Sequence, residues 1–347
     1  MGEGRRSHTV VQWATGNIGT HALRATIQHP GLDLAGVYIY AAEKAGRDAG
    51  DLCGLGPTGV LATRDADEIV ALGADCVLYM PRACDFDEVC RLLASGSNIV
   101  STRGEFHRPG SLDPEVRARV EKACAEGGTS IYSTGSSPGF ITEALPLVLT
   151  SLQRRLDCLT IDEFADVSSR NSPGLLFEVM GFGKAPAAYD ERRLTHGRWS
   201  FGPSLQLVAD ALAMPLDTIE ASGAFAVASR TIEIAAGTIE AGTVAAQRMT
   251  VSGMRGGRPV LQFRANWYCS TDLDPAWALR ATGWRVVVDG DTPLDVTISF
   301  PVSPERWAEV SPGLTAHRAV NAVRVVCDAA PGIRTTVDLP QVIAALG

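Results

Sequence analysis

The sequence predicts an α/β fold in which a parallel sheet is followed by a second, α+β domain built on a mainly antiparallel sheet. Three observations support this prediction. The chain has 347 residues, enough for two domains at roughly 100–200 residues each. Short β-branched runs alternate with helical stretches through the first 140 residues, which is typical of βαβ units. After Gly139 this alternation gives way to strand and turn patterns that favour an antiparallel sheet.

Proline and glycine positions justify the elements of the first region. Pro30 and Gly31 stop the first helix, Pro81 cannot donate to a strand ladder, and Pro114 suits the first turn of a helix. The predicted strands are Thr9–Trp13, Leu32–Tyr40, Asp75–Met80, Asn98–Thr102 and Ser130–Ser133. The predicted helices are Ile18–Gln28, Asp87–Ala94 and Pro114–Glu126.

The second region has fewer helices in this prediction. A connecting helix over Ile141–Leu152 precedes a strand over Leu159–Val167, and His196 falls in a polar loop. Alternating strands fill residues 231–302, where Asp289-Gly290 predicts the primed turn of a hairpin. A final helix is predicted over Gly313–Ala329.

Composition and charge narrow the functional class. Hydrophobic residues make up 46% of the chain and charged residues 20%, so a sizeable core can be buried. The net charge of −8, without a basic block, argues against nucleic-acid and membrane partners. No run reaches the ~18 apolar residues of a membrane span, and Met1–Ser7 lacks the apolar core of a signal peptide. We therefore predict a cytoplasmic protein.

The cysteines and histidines predict no metal site. None of the eight cysteines forms a Cys-x-x-Cys pair, and the six histidines are too scattered for zinc-ligand spacing. In such a chain a free thiol behaves as a small apolar group, so we also predict no disulfide.

The segment between the first strand and the first helix carries the first chemical signal. A strand, a turn of small residues and a helix start follow in the order that a dinucleotide fingerprint requires. Gly16 would let the backbone approach a pyrophosphate, and Gly19 would let the helix pack on the strand. Ala14 replaces the first glycine of the usual pattern and predicts an ordinary backbone there. The predicted contacts to the cofactor are Thr15, Gly16, Asn17, Ile18 and Gly19.

The end of the second strand indicates which cofactor is preferred. NAD-binding sites typically place an acid there to hold the ribose hydroxyls. This strand ends at Tyr40, and the first acid, Glu43, is followed by Lys44 and Arg47. Two cations after a neutral strand end favour NADP(H), with NAD(H) as the alternative through Glu43. We predict that Tyr40, Lys44 and Arg47 contact the cofactor.

Several further segments make a family resemblance visible. Together with the glycine loop, the chain resembles the dihydrodipicolinate-reductase-like proteins, and within them the 2,4-diaminopentanoate dehydrogenases and native amine dehydrogenases. The segments that carry the resemblance are Gly46–Gly50, Tyr79–Pro81, Ser101–Phe106, Thr134–Phe140, Val179–Gly183 and Arg318–Ala322.

This resemblance implies an organisation and a reaction. Residues 1–143, completed by 313–347, would form a Rossmann domain, and 144–312 would bind the substrate and form a homodimer interface. The family reaction is a reversible oxidation of a primary amine by NAD(P)+ to an imine, which water converts to a ketone or aldehyde plus ammonia. Partners are therefore a small amine or carbonyl compound and ammonia.

Glu105 is the predicted catalytic residue. It matches the glutamate that the family uses for acid–base chemistry. An ammonium must lose a proton before its nitrogen lone pair can expel a hydride from carbon, and a carboxylate near the nicotinamide can accept that proton. Glu105 follows a predicted strand at the carboxyl edge, where open α/β sheets place their ligands.

The remaining candidates come from their position beside these motifs. Turns at Met80, Pro81, Ser136, Ser137 and Pro138 are predicted to flank the nicotinamide. Candidate substrate contacts are Phe140, Phe164, Asn171, Phe177, Met180 and Trp267. So few charges in this set predict a small, mostly apolar substrate rather than a dicarboxylate, which would need paired cations.

Two alternatives remain open from the sequence. The first keeps the cofactor and changes the substrate, as in a reductase of cyclic imines or amino acids. The second is a non-catalytic dimer that senses NADPH. Dependence of turnover on free ammonia distinguishes the first alternative, and cofactor binding without turnover would favour the second.

Overall fold

A computed structural model describes residues 7–187 and 189–346, with backbone alone at 304 and 305. The helices are α1 Asn17–Ile27, α2 Ala49–Cys53, α3 Ala66–Ala71, α4 Phe86–Ala94, α5 Pro114–Gly127, α6 Leu145–Thr150, α7 Glu191–Ala211 and α8 Pro304–Cys327. The strands are β1 His8–Trp13, β2 Leu32–Tyr38, β3 Ala62–Thr63, β4 Cys76–Tyr79, β5 Asn98–Ser101, β6 Ser130–Ser133, β7 Leu156–Asp166, β8 Thr218–Ala228, β9 Ile232–Ile234, β10 Gly237–Ile239, β11 Val244–Arg255, β12 Arg258–Tyr268, β13 Leu273–Asp274, β14 Gly283–Gly290, β15 Leu294–Ser299 and β16 Gly332–Arg334.

The chain divides into two compact units. The first unit comprises Met1–Phe140 and Ala308–Gly347, and the second comprises Ile141–Trp307. The division predicted from the sequence falls close by, at 143/144 and 312/313. In both divisions the C-terminal segment belongs with the N-terminal region.

The first unit is built on a seven-stranded sheet whose strand order is β16-β6-β5-β4-β1-β2-β3. All neighbouring strands run parallel. The order reverses between β2 and β4, on either side of β1, which makes the end of β1 the switch point where such sheets bind ligands.

Alternate residues of these strands face two separate apolar clusters. Val11 and Val77 lie in the cluster formed with α4 and α5. Val10 and Leu78 lie in the opposite cluster, where α8 residues such as Val320 pack. Burial on both faces explains why the strands are continuous apolar runs. The C-terminal helix therefore packs on the N-terminal sheet.

Side-chain caps fix where three helices begin. Asp65, Asp85 and Asp113 each accept a hydrogen bond from a backbone N–H in the first turn of α3, α4 and α5. Such caps satisfy N–H groups that have no partner within the helix. At the other end of α5, Gly128 adopts the left-handed conformation (φ 66°) that commonly ends a helix.

The second unit contains a seven-stranded sheet of order β13-β8-β11-β12-β7-β14-β15 and a separate β9–β10 pair. β7 and β12 run parallel, whereas the other neighbouring strands are antiparallel. Helix α7 packs on this sheet, where Phe201 stacks on Phe263 with ring centroids 3.9 Å apart. The predicted fold class, a parallel α/β sheet with a second, mainly antiparallel α+β domain, is confirmed.

Three predicted elements of the second region were wrong. His196 lies within α7, not in a loop, because packing on the sheet stabilises a helix despite its weak helix formers Gly197, Gly202 and Pro203. Asp289 and Gly290 end strand β14, and the hairpin turns only before β15. The last helix begins well before Gly313.

The predicted connecting helix over 141–152 was also only partly right. An irregular segment, Ser136–Ala144, precedes the short helix α6. Its backbone leaves the helical region at Ser137, Pro138 and Gly139, and Gly139 has a φ of 120° that favours glycine.

Within residues 7–187 and 189–346, no helix has the length and hydropathy to cross a membrane. The same part of the chain contains no group of three or more His, Cys, Asp or Glu side chains arranged to hold a metal ion.

Candidate active site

The predicted site residues of the first unit follow strands that lie side by side. The glycine loop follows β1, Pro81 follows β4, Glu105 follows β5 and Ser136 follows β6. Because β1, β4, β5 and β6 are neighbours in one parallel sheet, these loops share its carboxyl edge.

Main-chain contacts determine the shape of the glycine loop. Ala14 has a φ of +73°, so the prediction of an ordinary backbone there was wrong. Its N–H donates to the Tyr38 carbonyl at 2.9 Å, and the Gln12 side chain donates to the Ala14 carbonyl at 2.9 Å. These bonds hold a residue with a side chain in a conformation that normally favours glycine. A Cβ on Gly19 would lie 2.1 Å from the Ala14 oxygen, which explains why glycine is required there.

The start of α1 fits a bound diphosphate. Gly16 is the N-cap and has no side chain to cap the first N–H groups, and the first turn contains no acid. A Cβ placed on Gly16 would meet no atom of the described residues within 4 Å, and Gly16 and Asn17 are exposed. Open space above free N–H groups at a helix N-terminus is what an anionic phosphate needs.

Lys44 lies against the glycine loop. Its Nζ donates to the Thr15 carbonyl at 2.7 Å and to the Thr15 hydroxyl at 3.1 Å. Arg47 is exposed, and its backbone N–H donates to the Lys44 carbonyl. The segment after β2 therefore places a cation directly beside the predicted phosphate site.

Tyr40 joins a polar cluster that the sequence did not predict. Its hydroxyl accepts from Trp13 Nε1 at 3.0 Å and donates to Glu88 at 3.1 Å, and the Tyr79 hydroxyl donates to the same carboxylate at 3.1 Å. Burial is the main cause that raises the pKa of Glu88, Tyr40 and Tyr79. Tyr40 and Glu88 border a cavity of about 710 Å³ that also includes Pro81.

Met80 is placed differently from Pro81. The Met80 side chain is buried in the cluster that contains α8, and its N–H donates to the Trp13 carbonyl. Only Pro81, of these two predicted residues, lines the cavity beside Tyr40.

Glu105 lies in a short 3₁₀ turn, Gly104–Phe106, just beyond β5. Its Oε1 accepts a hydrogen bond from Arg103 Nη2 at 2.9 Å, and its side chain is only 12% exposed. Its Oε2 is buried and has no hydrogen-bond partner among the described residues. Burial, and then the negative charge of Glu105, raise the pKa of the Cys84 thiol to about 12, which keeps that neighbour neutral.

The loop after β6 is held by the C-terminal helix. Ser136 Oγ lies 2.7 Å from Thr315 Oγ1, and the Ser136 N–H donates to the same hydroxyl at 3.3 Å. Ser137 Oγ is buried without a partner among the described residues. The guanidinium of Arg318 lies over the Phe140 ring, 5.9 Å from the ring centroid. Pro138 lies between Ser137 and Phe140 with an extended backbone, φ −70° and ψ 164°.

The other predicted substrate contacts lie in the second unit. Phe164 is 4% exposed and belongs to the core of an apolar cluster, against which Phe177, Met180 and Trp267 pack as partly buried neighbours. Asn171 is exposed. Four of the five second-unit candidates are thus brought together by one cluster.

Sequence reasoning missed Arg103, Glu88 and Thr315. Arg103 stands two residues before Glu105, a spacing that could have suggested an ion pair. Glu88 was visible only as an acid in the first turn of α4. Thr315 meets Ser136 through the return of α8, a long-range contact for which the sequence holds no local signal.

Comparisons with known proteins identify the family. Residues 140–347 match the model of the 2,4-diaminopentanoate dehydrogenase C-terminal domain. An amine dehydrogenase of Streptomyces virginiae is 30% identical over 96% of both chains. A 2,4-diaminopentanoate dehydrogenase of Acetoanaerobium sticklandii is 24% identical over 81% of this chain and 78% of its own.

Solved structures share the fold. The structure of an amine dehydrogenase from Mycobacterium smegmatis superposes with a TM-score of 0.73 at 18% identity and covers 97% of each chain. GenD2 from gentamicin A biosynthesis, solved in complex with NAD, has a TM-score of 0.53 at 16% identity, with 97% and 92% covered.

A switch-point glycine loop on a parallel sheet fits a dinucleotide, and the amine dehydrogenase and 2,4-diaminopentanoate dehydrogenase relatives make the chain an NAD(P)-dependent oxidoreductase. The chain belongs to the family of 2,4-diaminopentanoate dehydrogenases and amine dehydrogenases. The predicted resemblance and the predicted enzyme class, a dehydrogenase that acts on amines, are both confirmed. These comparisons give no support to the cyclic-imine reductase or to the sensing dimer.

Proposed function

We propose that this protein catalyses the reversible oxidative deamination of a small primary amine, with Glu105 as the proton-transfer group. In the oxidative direction, amine and water yield a ketone or aldehyde, ammonia and a proton, while a hydride leaves the amine-bearing carbon. The observation that carries the proposal is the Glu105 carboxylate, which has one oxygen fixed by Arg103 and the other buried without a hydrogen-bond partner among the described residues.

The buried Oε2 of Glu105 suits the proton step. A protonated amine cannot release a hydride because its nitrogen lone pair is occupied. Accepting that proton on Oε2 neutralises the carboxylate and frees the nitrogen lone pair, which can then expel the hydride. In the reductive direction the same oxygen returns the proton to the new amine.

The cofactor in this proposal is NADP(H), with NAD(H) as the alternative. When bound, the nicotinamide supplies the hydride chemistry. Gly16, Asn17 and Ile18 would hold its diphosphate through backbone N–H groups. Lys44 and Arg47 would favour the additional ribose phosphate, since Lys44 is already tied to Thr15 in the loop.

The loops after β4 and β6 would frame the nicotinamide. Pro81 and the Ser136–Pro138 turn follow strands on either side of β5, which carries Glu105. The Ser137 hydroxyl has no partner in the part of the chain that the structure describes and is a suitable donor for a carboxamide oxygen. This arrangement would place Glu105 beside the nicotinamide.

The substrate we propose is small and mostly apolar. The uncharged candidates are Phe140 in the first unit and the partly buried Phe177, Met180 and Trp267 in the second. None of these side chains carries a charge, so an amine or ketone without further ionised groups suits them. Phe164 and Asn171 are also proposed as substrate contacts.

We also propose a homodimer formed through the second unit. Helix α7 covers one face of its sheet, whereas cross-strand neighbours Asp162 and Arg285 belong to the other face. Several residues of β8, including Ser222 and Ala224, are exposed. Light scattering would show two copies per particle.

The cytoplasmic location remains a prediction, tested by cell fractionation.

A carbonyl screen tests the proposed function. Purified protein is mixed with ammonium, NADPH and each of a series of small apolar ketones and aldehydes, and cofactor oxidation is followed by absorbance. We expect oxidation that requires both the carbonyl compound and ammonium. Dissociation constants for NADPH and NADH, measured by fluorescence, test the cofactor preference separately.

Two outcomes would contradict the proposal. Oxidation of NADPH without ammonium would indicate reduction of a preformed imine or of the carbonyl itself. Micromolar cofactor binding with no turnover across the panel would favour a sensor. A clear preference for NADH would overturn only the assignment of Lys44 and Arg47.

A further inference from the structure

The guanidinium of Arg103 joins Glu105 to a neighbouring strand end. Nη2 donates to Glu105 Oε1 at 2.9 Å, while Nη1 donates to the Arg82 carbonyl at 2.7 Å. Arg82 follows β4 and Glu105 follows β5, so one planar group bridges the loops of two adjacent strands. The Arg103 side chain is 21% exposed and that of Glu105 12%, so water competes little for the bond between them.

The backbone of Arg103 is fixed as well. Its N–H donates to Ser101 Oγ at 3.0 Å, and its carbonyl accepts from Ser133 Oγ at 2.7 Å. Ser101 Oγ in turn donates to the Tyr79 carbonyl at 3.0 Å. Three parallel strands, β4, β5 and β6, therefore set the position from which the guanidinium reaches the carboxylate.

We infer that Arg103 is the positioning residue of the active site, fixing Glu105 so that Oε2 alone is left to exchange protons with the substrate nitrogen. The inference rests on the proposed function, because it gives Glu105 Oε2 that role. Arg103 itself exchanges no proton, since a guanidinium stays charged.

The geometry requires arginine in particular. Two N–H groups of one rigid plane serve two acceptors, the Arg82 carbonyl and the Glu105 carboxylate, at the same time. A lysine ammonium is a point charge on a flexible stem and cannot keep the same two-acceptor geometry. Charge alone would therefore not restore the function.

The experiment compares Arg103→Ala and Arg103→Lys with the wild-type protein in the ammonium-dependent assay. We expect kcat to fall about 100-fold in both variants, because a displacement of about 1 Å of a reacting group has an effect of that size. KM for the carbonyl compound and the dissociation constant for NADPH should change little. Thermal unfolding establishes that the variants are folded.

Chemical rescue separates positioning from a structural role. Guanidinium ion, added far below denaturing concentrations, should recover part of the lost kcat of Arg103→Ala. If Arg103→Ala had lost activity only because it was destabilised, added guanidinium would lower its activity further. Glu105→Ala should not be rescued. Arg117→Ala, which removes an exposed arginine paired with Glu121, controls for salt and charge and should keep wild-type turnover.

The outcomes distinguish the inference from the proposed function. If the wild-type protein shows no ammonium-dependent turnover, the proposed function itself fails. If the wild type turns over and Arg103→Lys retains its kcat, the inference is wrong while the proposed function stands. A folded Arg103→Ala variant that guanidinium does not rescue would also overturn the inference.

Discussion

The glycine loop and the Glu105 turn lie at the same sheet edge but are built differently. The loop is defined by its main chain, with Ala14 held at positive φ and Gly19 pressed against its carbonyl. The Glu105 turn is defined by side chains, chiefly the ion pair to Arg103. Main-chain shape depends partly on where glycines stand, which a sequence shows, although the positive φ of Ala14 was not predicted. A side-chain ion pair depends on neighbouring strands and becomes visible only in the fold.

Gly19→Ala should have the largest effect on folding. The added Cβ would lie 2.1 Å from a backbone oxygen that cannot move without breaking the contacts of the loop. We expect the free energy of unfolding to fall by about 3 kcal/mol, at the upper end of overpacking effects. Urea unfolding measures this change. A variant as stable as the wild type would show that the loop is not constrained by its main chain.

Gly16→Ala should affect ligand binding without affecting folding. Its added Cβ meets nothing among the described residues, so stability should stay within about 1 kcal/mol. The methyl group would occupy space proposed for the diphosphate, so we expect at least a roughly tenfold weaker affinity for NADPH, or about 1.4 kcal/mol.

Gly56→Ala is the matched control, since a Cβ there also meets no described atom. It should alter neither stability nor cofactor affinity. Equal NADPH affinity in the Gly16→Ala and Gly56→Ala variants would contradict the proposal that the diphosphate binds at the N-terminus of α1.

Ala14→Gly should stabilise the protein slightly. A non-glycine residue in the left-handed region costs about 1–2 kcal/mol, partly offset by the greater backbone entropy that glycine loses on folding. We therefore expect a gain of up to about 1 kcal/mol in the free energy of unfolding. A loss of stability would mean that the Ala14 side chain contributes packing that outweighs the strain.

Glu88→Gln should flatten the pH dependence of stability. Burial raises the pKa of Glu88 above its ordinary value of 4.5, so folding favours the protonated form. Stability from this group is present at low pH and is lost as pH rises from about 4.5 through the raised pKa. The glutamine variant should lose less stability across that range in urea unfolding. An unchanged profile would show that the two tyrosine hydrogen bonds fully compensate the burial.

The contrast between local main-chain signals and long-range side-chain contacts explains which predictions succeeded. Strand β6 and the start of α5 were predicted at the residues where they lie, because alternation and Pro114 are local signals. The turn between β1 and α1 was also predicted at its place in the chain, because its glycines are a local signal. Helix α7 was missed because its stability comes from packing on a sheet whose strands lie later in the chain.

The candidate site residues follow the same rule. Glu105 was predicted from its family motif, whereas its ion pair with Arg103 was not predicted. Thr315, which holds Ser136, belongs to a helix that returns from the far end of the chain. Such long-range contacts are set by topology and cannot be inferred from local spacing.

The role of Glu105 is tested most directly by its removal. Cofactor affinity and turnover are measured together for wild type and Glu105→Ala, with Glu126→Ala as an exposed-carboxylate control. We predict an unchanged dissociation constant for NADPH and a loss of ammonium-dependent turnover by about 100-fold or more, the scale of general acid–base catalysis. A Glu105→Ala protein that turns over like the wild type would contradict the account.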